Sequence, residues 1–383
     1  MKQPFHPVIG IIGGGQLGKM LIESSASWNL NYNVLDPDKD APCRSYAKTF
    51  FNATLTDDKA IRELAGMSDV LTYEIEHINV DTLLDLEKSG KTIIPSPSIL
   101  KIIQDKGLQK QFYTENNLPT APYQLVNSKE MWPEALQYLH GDRIVAKLCK
   151  GGYDGKGVVI CERSEILKGN LPFDAPCILE EFIPQSREIA ILVASNGLET
   201  VTWPSVEMDF DPKLNLVDYI FSPGNLDKNT EEKAANIAIS AVKALNGKGV
   251  FAVEMFLTSK GEILINEIAP RPHNSGHHTI EAAVTSQYEQ LNRILLNLPL
   301  GSTEFVRPAV MVNIIGPPEV YGNYKISGLE KAMSIPGFYL HLYKKDQSRP
   351  GRKMGHYTVM AETLDKAIQN AMQIKDWIKI EQV

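Results

Sequence analysis

Lys147-Leu148-Cys149-Lys150-Gly151-Gly152-Tyr153-Asp154-Gly155-Lys156-Gly157 is the stretch whose reading decides the fold. It is not a Walker A loop. That motif needs Gly-Lys followed by Ser or Thr and then a helix, whereas Lys156 is followed by Gly157 and the β-rich Val158-Val159-Ile160. A strand-loop-strand with four glycines and three lysines is suited to fold over a nucleotide's phosphates as a flap. An ordinary long hairpin is the plainer alternative.

On either side of the loop the chain reads as short β-runs: Arg143 to Leu148, Val158 to Cys161, Ile178 to Phe182, Glu188 to Val193, Val250 to Leu257 and Glu262 to Ile268. One helix interrupts them. Glu231 to Asn246 sets Ala234, Ile237, Ala238, Ala241, Val242 and Leu245 on one face, with Gly247 placed as its cap. The turn Thr258-Ser259-Lys260-Gly261 joins two strands that carry Glu254 and Glu267. If Leu257 pairs with Glu262, both carboxylates leave one face as diagonal neighbours about 7 to 8 Å apart, close enough to converge on a metal. A turn one residue different separates them. Glu254 lies among Phe251, Val253, Met255 and Phe256, and a carboxylate in such a strand needs a partner.

Before residue 100 the texture is different. Val8 to Ile12 reads as a buried strand, Leu17, Met20, Leu21 and Trp28 follow at helical spacing, and Asn33 to Leu35 reads as a strand again. This alternation predicts a parallel sheet flanked by helices. Between strand and helix, Gly13-Gly14-Gly15-Gln16-Leu17-Gly18 satisfies G-x-G-x-x-G, with Asp36 near the end of the next strand. Taken alone it suits a dinucleotide as well as a tight turn. Pro95-Ser96-Pro97-Ser98 punctuates this region, because its prolines resist both helix and central strand, and a helical stretch with Lys106 and Lys110 follows.

Two further loops are crowded with anion-binding side chains: Asn266 to His278 and Arg349 to His356. His273 and His277 have the i, i+4 spacing of a zinc pair, but the surrounding prolines and glycine oppose the helix such a pair needs. A small-anion site or a solvated basic patch fits better. After residue 300 come the β-rich Ala309 to Ile315 and an amphipathic helix around Ala367 to Ile378.

Composition limits the partners. A chain of 383 residues with 22% charged and 43% hydrophobic residues is expected to fold as two or three globular domains. Its net charge of −7 opposes nucleic acid, so an anionic ligand has to be a small one met by a local basic cluster. No signal-like or membrane-spanning apolar run is present, which predicts a cytoplasmic protein without a membrane partner. The four cysteines, Cys43, Cys149, Cys161 and Cys177, contain no C-x-x-C pair and read as incidental thiols.

Taken in order, GGGQLGKM from Gly13, YEIE from Tyr73, QDKGLQK from Gln104, LPTAPY from Leu118, GGYDGKG from Gly151, EEFI from Glu180, NEIAPRPHNSGH from Asn266 and RPGRKMGH from Arg349 resemble the ATP-grasp superfamily. Within it they resemble the 5-(carboxyamino)imidazole ribonucleotide synthases, over essentially the whole chain. The resemblance implies an α/β and α+β architecture. A Rossmann-like pre-ATP-grasp domain would span 1–100, an ATP-grasp domain 101–299, and a small β-rich C-terminal domain 300–383, which would complete a substrate phosphate site.

The resemblance also implies an activity: carboxylation of 5-aminoimidazole ribonucleotide by bicarbonate and ATP, through carboxyphosphate, in a homodimer. ATP would lie against Lys106, Lys147, Gly152, Tyr153, Asp154, Gly155, Lys156, Gly157, the hinge Glu180, Glu181, Phe182 and Ile183, and Glu188, Asn266 and Glu267. Glu254 and Glu267 would hold magnesium, or manganese in its place. The ribonucleotide would meet Gln16, Leu17, Glu74, Glu76, Tyr153, Asp154 and His273, with its phosphate on Lys345 and Arg352. Arg271 would hold bicarbonate, and Asp154 and His273 would handle the amine proton. Many members of the family carry Arg at the place of Lys106, which would lose the bidentate fork here. A formate-using glycinamide ribonucleotide transformylase and an NAD-dependent dehydrogenase are the rival readings.

Overall fold

The computed structural model describes residues 7–152, 157–211 and 216–383. Its N-terminal sheet has five parallel strands in the order Thr49–Asn52, Asn31–Asp36, Val8–Ile12, Val70–Tyr73 and Thr92–Ile93. Strand alternation sends Ile9 and Ile11 to one face, with Met20, Leu21 and Ile22 of the helix Gln16–Glu23. It sends Ile12 to the other, with Ile61, Leu64 and Leu83 of the helices Asp58–Gly66 and Val80–Lys88.

The Pro95-to-Ser98 segment does not resist helix. Ser96 accepts from the Ser98 backbone N–H as an N-cap, and Pro97 is the first residue of the helix Pro97–Ile103. A proline has no N–H to waste in a first turn, so the position suits it. Asp105 then caps the helix Lys106–Glu115, which delivers Lys106 and Lys110 to the site described below.

Two main antiparallel sheets, beside a two-stranded one that pairs Tyr324–Ser327 with Lys379–Gln382, form the rest of the framework. The smaller has the order Tyr123–Val126, Cys177–Glu181, Arg143–Leu148, Val158–Glu162. The larger runs through Ile263–Ala269, Gly249–Leu257, Arg187–Ser195, Val206–Asp211, Leu216–Ser222, Ala309–Ile315, Lys353–Met360 and Phe338–Leu342. Because Leu216–Ser222 pairs directly with Ala309–Ile315, the sheet crosses residue 300 without a break. The helix Leu364–Trp377 buries Ala367, Ala371 and Ile374 on the far end of that sheet.

The helix Lys228–Ala244 packs Ala234, Ala238, Ala241 and Val242 against Ile189, Ile191 and Phe251. Its end differs from the expectation in one detail: Asn246, at φ 49°, takes the left-handed position assigned to Gly247. Gly247 is needed for space instead, since a Cβ there would come within 2.8 Å of the Phe251 ring. Among the described residues no helix is long and apolar enough to cross a membrane.

Candidate active site

The two glutamates do share a face, by a different register from the one expected. Leu257 pairs with Ile263, not Glu262, and without correction that slip would set Glu254 opposite Asn266. A β-bulge between Glu254 and Met255 on this ladder absorbs Asn266 and brings Glu254 directly opposite Glu267. They are therefore close cross-strand partners rather than diagonal ones. Burial and the charge of Glu267 drive the Glu254 carboxyl up, whereas Lys106, with its Nζ 2.6 Å from Glu267 Oε2, holds Glu267 down. Two opposed carboxylate oxygens in this state fit a hard divalent cation, which takes oxygen ligands and would relieve the repulsion.

Beside this pair, the two sheets meet around a small cavity lined by Lys106, Lys110, Lys147, Glu180, Asn266 and Glu267 among others. Lys147 and Lys110 both reach Glu180 Oε2, at 3.1 and 3.3 Å. Lys147 also donates to Asn266 Oδ1 at 2.9 Å, and Lys110 to Thr120 Oγ1 at 2.6 Å, whose hydroxyl in turn donates to the Ile265 carbonyl at 2.8 Å. Burial pushes the Lys110 ammonium down to about 8 against the attraction of Glu180. Glu180 stays low because the two lysines outweigh its burial. Three ammonium groups thus face two carboxylates, and the surplus positive charge suits a phosphate. Lys110, only 2% exposed, was given no role in the sequence reading. Its i, i+4 spacing from Lys106 on one helix was the available signal.

Along the Glu180–Ile183 segment the side chains alternate. Glu180 enters the cavity, while Glu181 turns away and accepts from the His140 backbone N–H at 2.7 Å. The Arg143 guanidinium lies 3.9 Å from the centre of the Phe182 ring, and the Ile183 carbonyl accepts from Ser186 at 3.1 Å. Glu188 stands diagonally from Glu254 on the adjacent strand, since Ala190 is the residue directly opposite Glu254. Burial raises Glu188 to about 7. Gly157 has φ +76° and lies against Leu148, and Gly152 precedes the part of the loop outside the described residues. Tyr153, Asp154, Gly155 and Lys156 fall in that part.

After Ala269 the chain leaves the sheet and carries Arg271 to Glu76, in a two-pronged contact of 2.7 and 3.1 Å from Nε and Nη2. Gln104 steadies the other side by donating to the Glu76 carbonyl at 2.6 Å. His273 Nδ1 lies 3.4 Å from Glu254 Oε1 and 2.9 Å from Ser275 Oγ. Gln287 grips the His273 backbone on both sides, accepting from its N–H at 2.9 Å and donating to its carbonyl at 2.8 Å. Arg271, His273 and Glu254 thus meet at one edge of the large sheet.

The N-terminal glycine loop is occupied by the protein itself. Gly14 N–H donates to Asp36 Oδ2 at 2.6 Å, and the Gly15 and Gly18 N–H groups donate to the two oxygens of Glu74. A side chain at Gly13 or Gly15 would collide with Glu74, each Cβ falling 2.6 Å from it. Donors that a dinucleotide phosphate would need are therefore taken by carboxylates. Glu74 is partly buried, and loss of solvent raises its carboxyl, with the two N–H bonds opposing that shift. Lys345 lies within Coulomb reach of Glu74, Asp36 and Arg352, so the C-terminal loop closes over this end. Arg352 Nη1 donates to the Gln347 carbonyl at 2.7 Å. Gln16 and Leu17 open the helix beneath, Leu17 packed on the core. Lys353, read from sequence only as part of a basic, anion-binding loop, lies within Coulomb reach of Glu254 and His277.

Three family models match consecutive parts of the chain: a ribonucleotide synthetase preATP-grasp domain over residues 7–104, an ATP-grasp domain over 111–288, and a phosphoribosylaminoimidazole carboxylase C-terminal domain over 309–370. The N5-carboxyaminoimidazole ribonucleotide synthase of Bacillus subtilis is 38% identical over 374 residues, 96% of each chain. The crystal structure of the corresponding synthetase of Thermotoga maritima is 42% identical with a TM-score of 0.89, covering 98% of this chain and all of the other. That of an Aspergillus clavatus synthase, in complex with ADP and 5-aminoimidazole ribonucleotide, is 32% identical with a TM-score of 0.87, covering 97% and 98%. With its ordered motifs, its three consecutive domain matches and this full-length likeness, the chain belongs to the N5-carboxyaminoimidazole ribonucleotide synthase family of ATP-grasp proteins.

Proposed function

We propose that the protein carboxylates 5-aminoimidazole ribonucleotide with bicarbonate at the expense of ATP, giving 5-(carboxyamino)imidazole ribonucleotide, ADP and phosphate in purine biosynthesis. The observation that carries this reading is the adjacency of a cavity with surplus positive charge, the Glu254/Glu267 pair and the Arg271–His273 loop. A relative of the same fold was crystallised with ADP and this ribonucleotide, which supports the choice of substrates.

In this reading Lys106 and Lys147 receive the ATP phosphates, the Gly151–Gly157 loop would cover them, and the segment from Glu180 to Ile183 lies alongside the base. Glu188 takes the ribose hydroxyls. Glu254 and Glu267, with Asn266 beside them, would hold magnesium, which supplies charge neutralisation for the transferred phosphoryl group. Arg271, oriented by Glu76, holds bicarbonate where the phosphoryl group arrives, and the same guanidinium then stabilises carboxyphosphate. Gln16, Leu17, Glu74, Glu76 and Tyr153 line the ribonucleotide end, where Lys345 and Arg352 bind its phosphate. Asp154 and His273 take the proton that the exocyclic amine loses as its N–C bond forms. Exclusion of water by the flap protects the labile intermediate. A cytoplasmic homodimer belongs to the same reading, and sedimentation tests the assembly.

Phosphate release from magnesium-ATP, measured with the ribonucleotide, with and without bicarbonate, and with formate as control, tests the assignment. Release is expected to require bicarbonate. Release that ignored bicarbonate and rose with formate would overturn it in favour of a transformylase.

A further inference from the structure

Away from the groups used above, the molecule buries a second set of titratable side chains. The rings of His277, His356 and His341 form a stack that is tilted at one end, with centroids 4.6 Å apart and planes at 31° for the first pair, and 4.4 Å and 12° for the second. Each end is anchored. His341 Nε2 lies 2.6 Å from Glu281 Oε1, and the Tyr288 hydroxyl lies 3.0 Å from His277 Nδ1. A third anchor holds the middle, where the Tyr343 hydroxyl is 2.7 Å from His356 Nδ1.

Register explains the stack: His341 and His356 are direct cross-strand partners, so their rings share a face. Gly355 lets the strands approach, since a Cβ there would fall 2.5 Å from the His341 carbonyl oxygen. His277 and His356 are fully buried, which drives their pKa values well down and keeps both rings neutral. His356 Nε2 has no partner among the described residues. An aliphatic cluster would fill this space without that desolvation cost. What imidazoles add is direction, because each ring's rotation is set by a hydroxyl or carboxylate.

The stack joins two functional segments. His277 is four residues beyond His273, and His356 is four beyond Arg352. We propose that the His277–His356–His341 stack is a positioning element that fixes the distance between the Arg271–His273 loop and the strand leading from Arg352, with His356 as its central positioning residue. The inference rests on the carboxylation reading above. In that reading the loop activates bicarbonate while the strand side holds the ribonucleotide, so a shift between them uncouples phosphate release from carboxylation.

Three variants test this against wild type, by phosphate released per carboxylated product, KM for the ribonucleotide and for ATP, and thermal midpoint. His356→Phe keeps the ring and loses the Nδ1 hydrogen-bonding partner; His356→Asn keeps a donor and an acceptor near that place; Tyr343→Phe removes the hydroxyl from the other side. His356→Phe is expected to keep its ATP KM, to raise the ribonucleotide KM about fivefold or more, and to release at least about three phosphates per product instead of one. Tyr343→Phe moves the same quantities less, and His356→Asn recovers part of the coupling. A wild-type ratio and ribonucleotide KM in His356→Phe overturn the proposal, as does an equal loss of both activities with an unchanged ratio. Should His356→Phe not fold, a wild-type ratio in Tyr343→Phe overturns it. A wild-type enzyme that releases no phosphate with bicarbonate and ribonucleotide overturns the carboxylation reading and this one with it, which separates the two failures.

Discussion

The glycine loop Gly13–Gly18 and the cavity around Glu180 both gather hydrogen-bond donors, yet they end with opposite charge balances. In the loop, the N–H groups of Gly14, Gly15 and Gly18 are covered by Asp36 and Glu74, two acids of the same domain. In the cavity, Lys106, Lys110 and Lys147 exceed the carboxylates of Glu180 and Glu267 by one charge. The loop matches the familiar phosphate pattern in sequence, but its own N–H donors are taken, so a phosphate at that end needs Lys345 and Arg352. The cavity matches no short pattern and would attract one. A count of donors therefore does not decide what a site binds; the charges left after internal pairing do.

The strongest way to break this comparison is Lys147→Met. It strips Glu180 and Asn266 of a partner, and removing one member of a buried ion pair costs roughly 3–5 kcal/mol, here toward the lower end because Lys110 stays on the same oxygen. Bicarbonate-dependent phosphate release should fall by about 100-fold or more, with a lowered denaturation midpoint. Near-normal release would move the cavity's role to Lys110.

Glu74→Gln attacks the other side. Its amide keeps one acceptor, leaving the Gly15 or Gly18 N–H facing an NH2 group, and should lose about 1–3 kcal/mol in denaturant titration. Neither this variant nor wild type should quench or enhance nicotinamide fluorescence; binding by either would restore the dinucleotide reading of the loop.

Glu254→Gln separates metal from fold. Because burial and Glu267 raise Glu254 in the folded protein, that group's contribution to metal-free stability is full below the ordinary carboxylate range and is lost progressively as pH rises through its raised folded-state value, past neutrality. The variant should lack this decline and match or exceed wild type by about 1 kcal/mol at neutral pH. Its magnesium-ATP turnover should still be largely abolished. Asp36→Asn is the mildest change, since its amide oxygen still accepts from Gly14 N–H, and a loss below about 1 kcal/mol is expected by thermal denaturation.

Much of the framework could be read from short-range pattern. Val8–Ile12 and Arg143–Leu148 are strands with the expected bounds, and the other β-runs named before residue 270 fall on strands shifted by a residue or two. Errors arose where a neighbour in space, not in sequence, decided the geometry. Gly247 is reserved by the Phe251 ring, so Asn246 turns the helix end. The misreading of Pro97 was local instead: it opens a helix because Ser96, its neighbour in sequence, caps it. The parity argument for Glu254 and Glu267 reached the correct face through a wrong hairpin register, which the bulge at Asn266 offset. Odd and even counting sees one register and cannot see a bulge.

From sequence alone came the alternation of helix and strand, the flap lysines and glycines, the two acidic strands and the ordered motifs that identify the family. Those features depend on backbone periods of 2 and 3.6 residues and on which side chains follow one another. Only the tertiary structure decided that Glu74 fills the glycine loop across 59 and 56 residues of chain, that Lys106 reaches Glu267 across 161, and that Lys110 joins Lys147 on one carboxylate oxygen. Such contacts follow from how the sheets pack, and burial then sets the charge on each group, which no local pattern encodes.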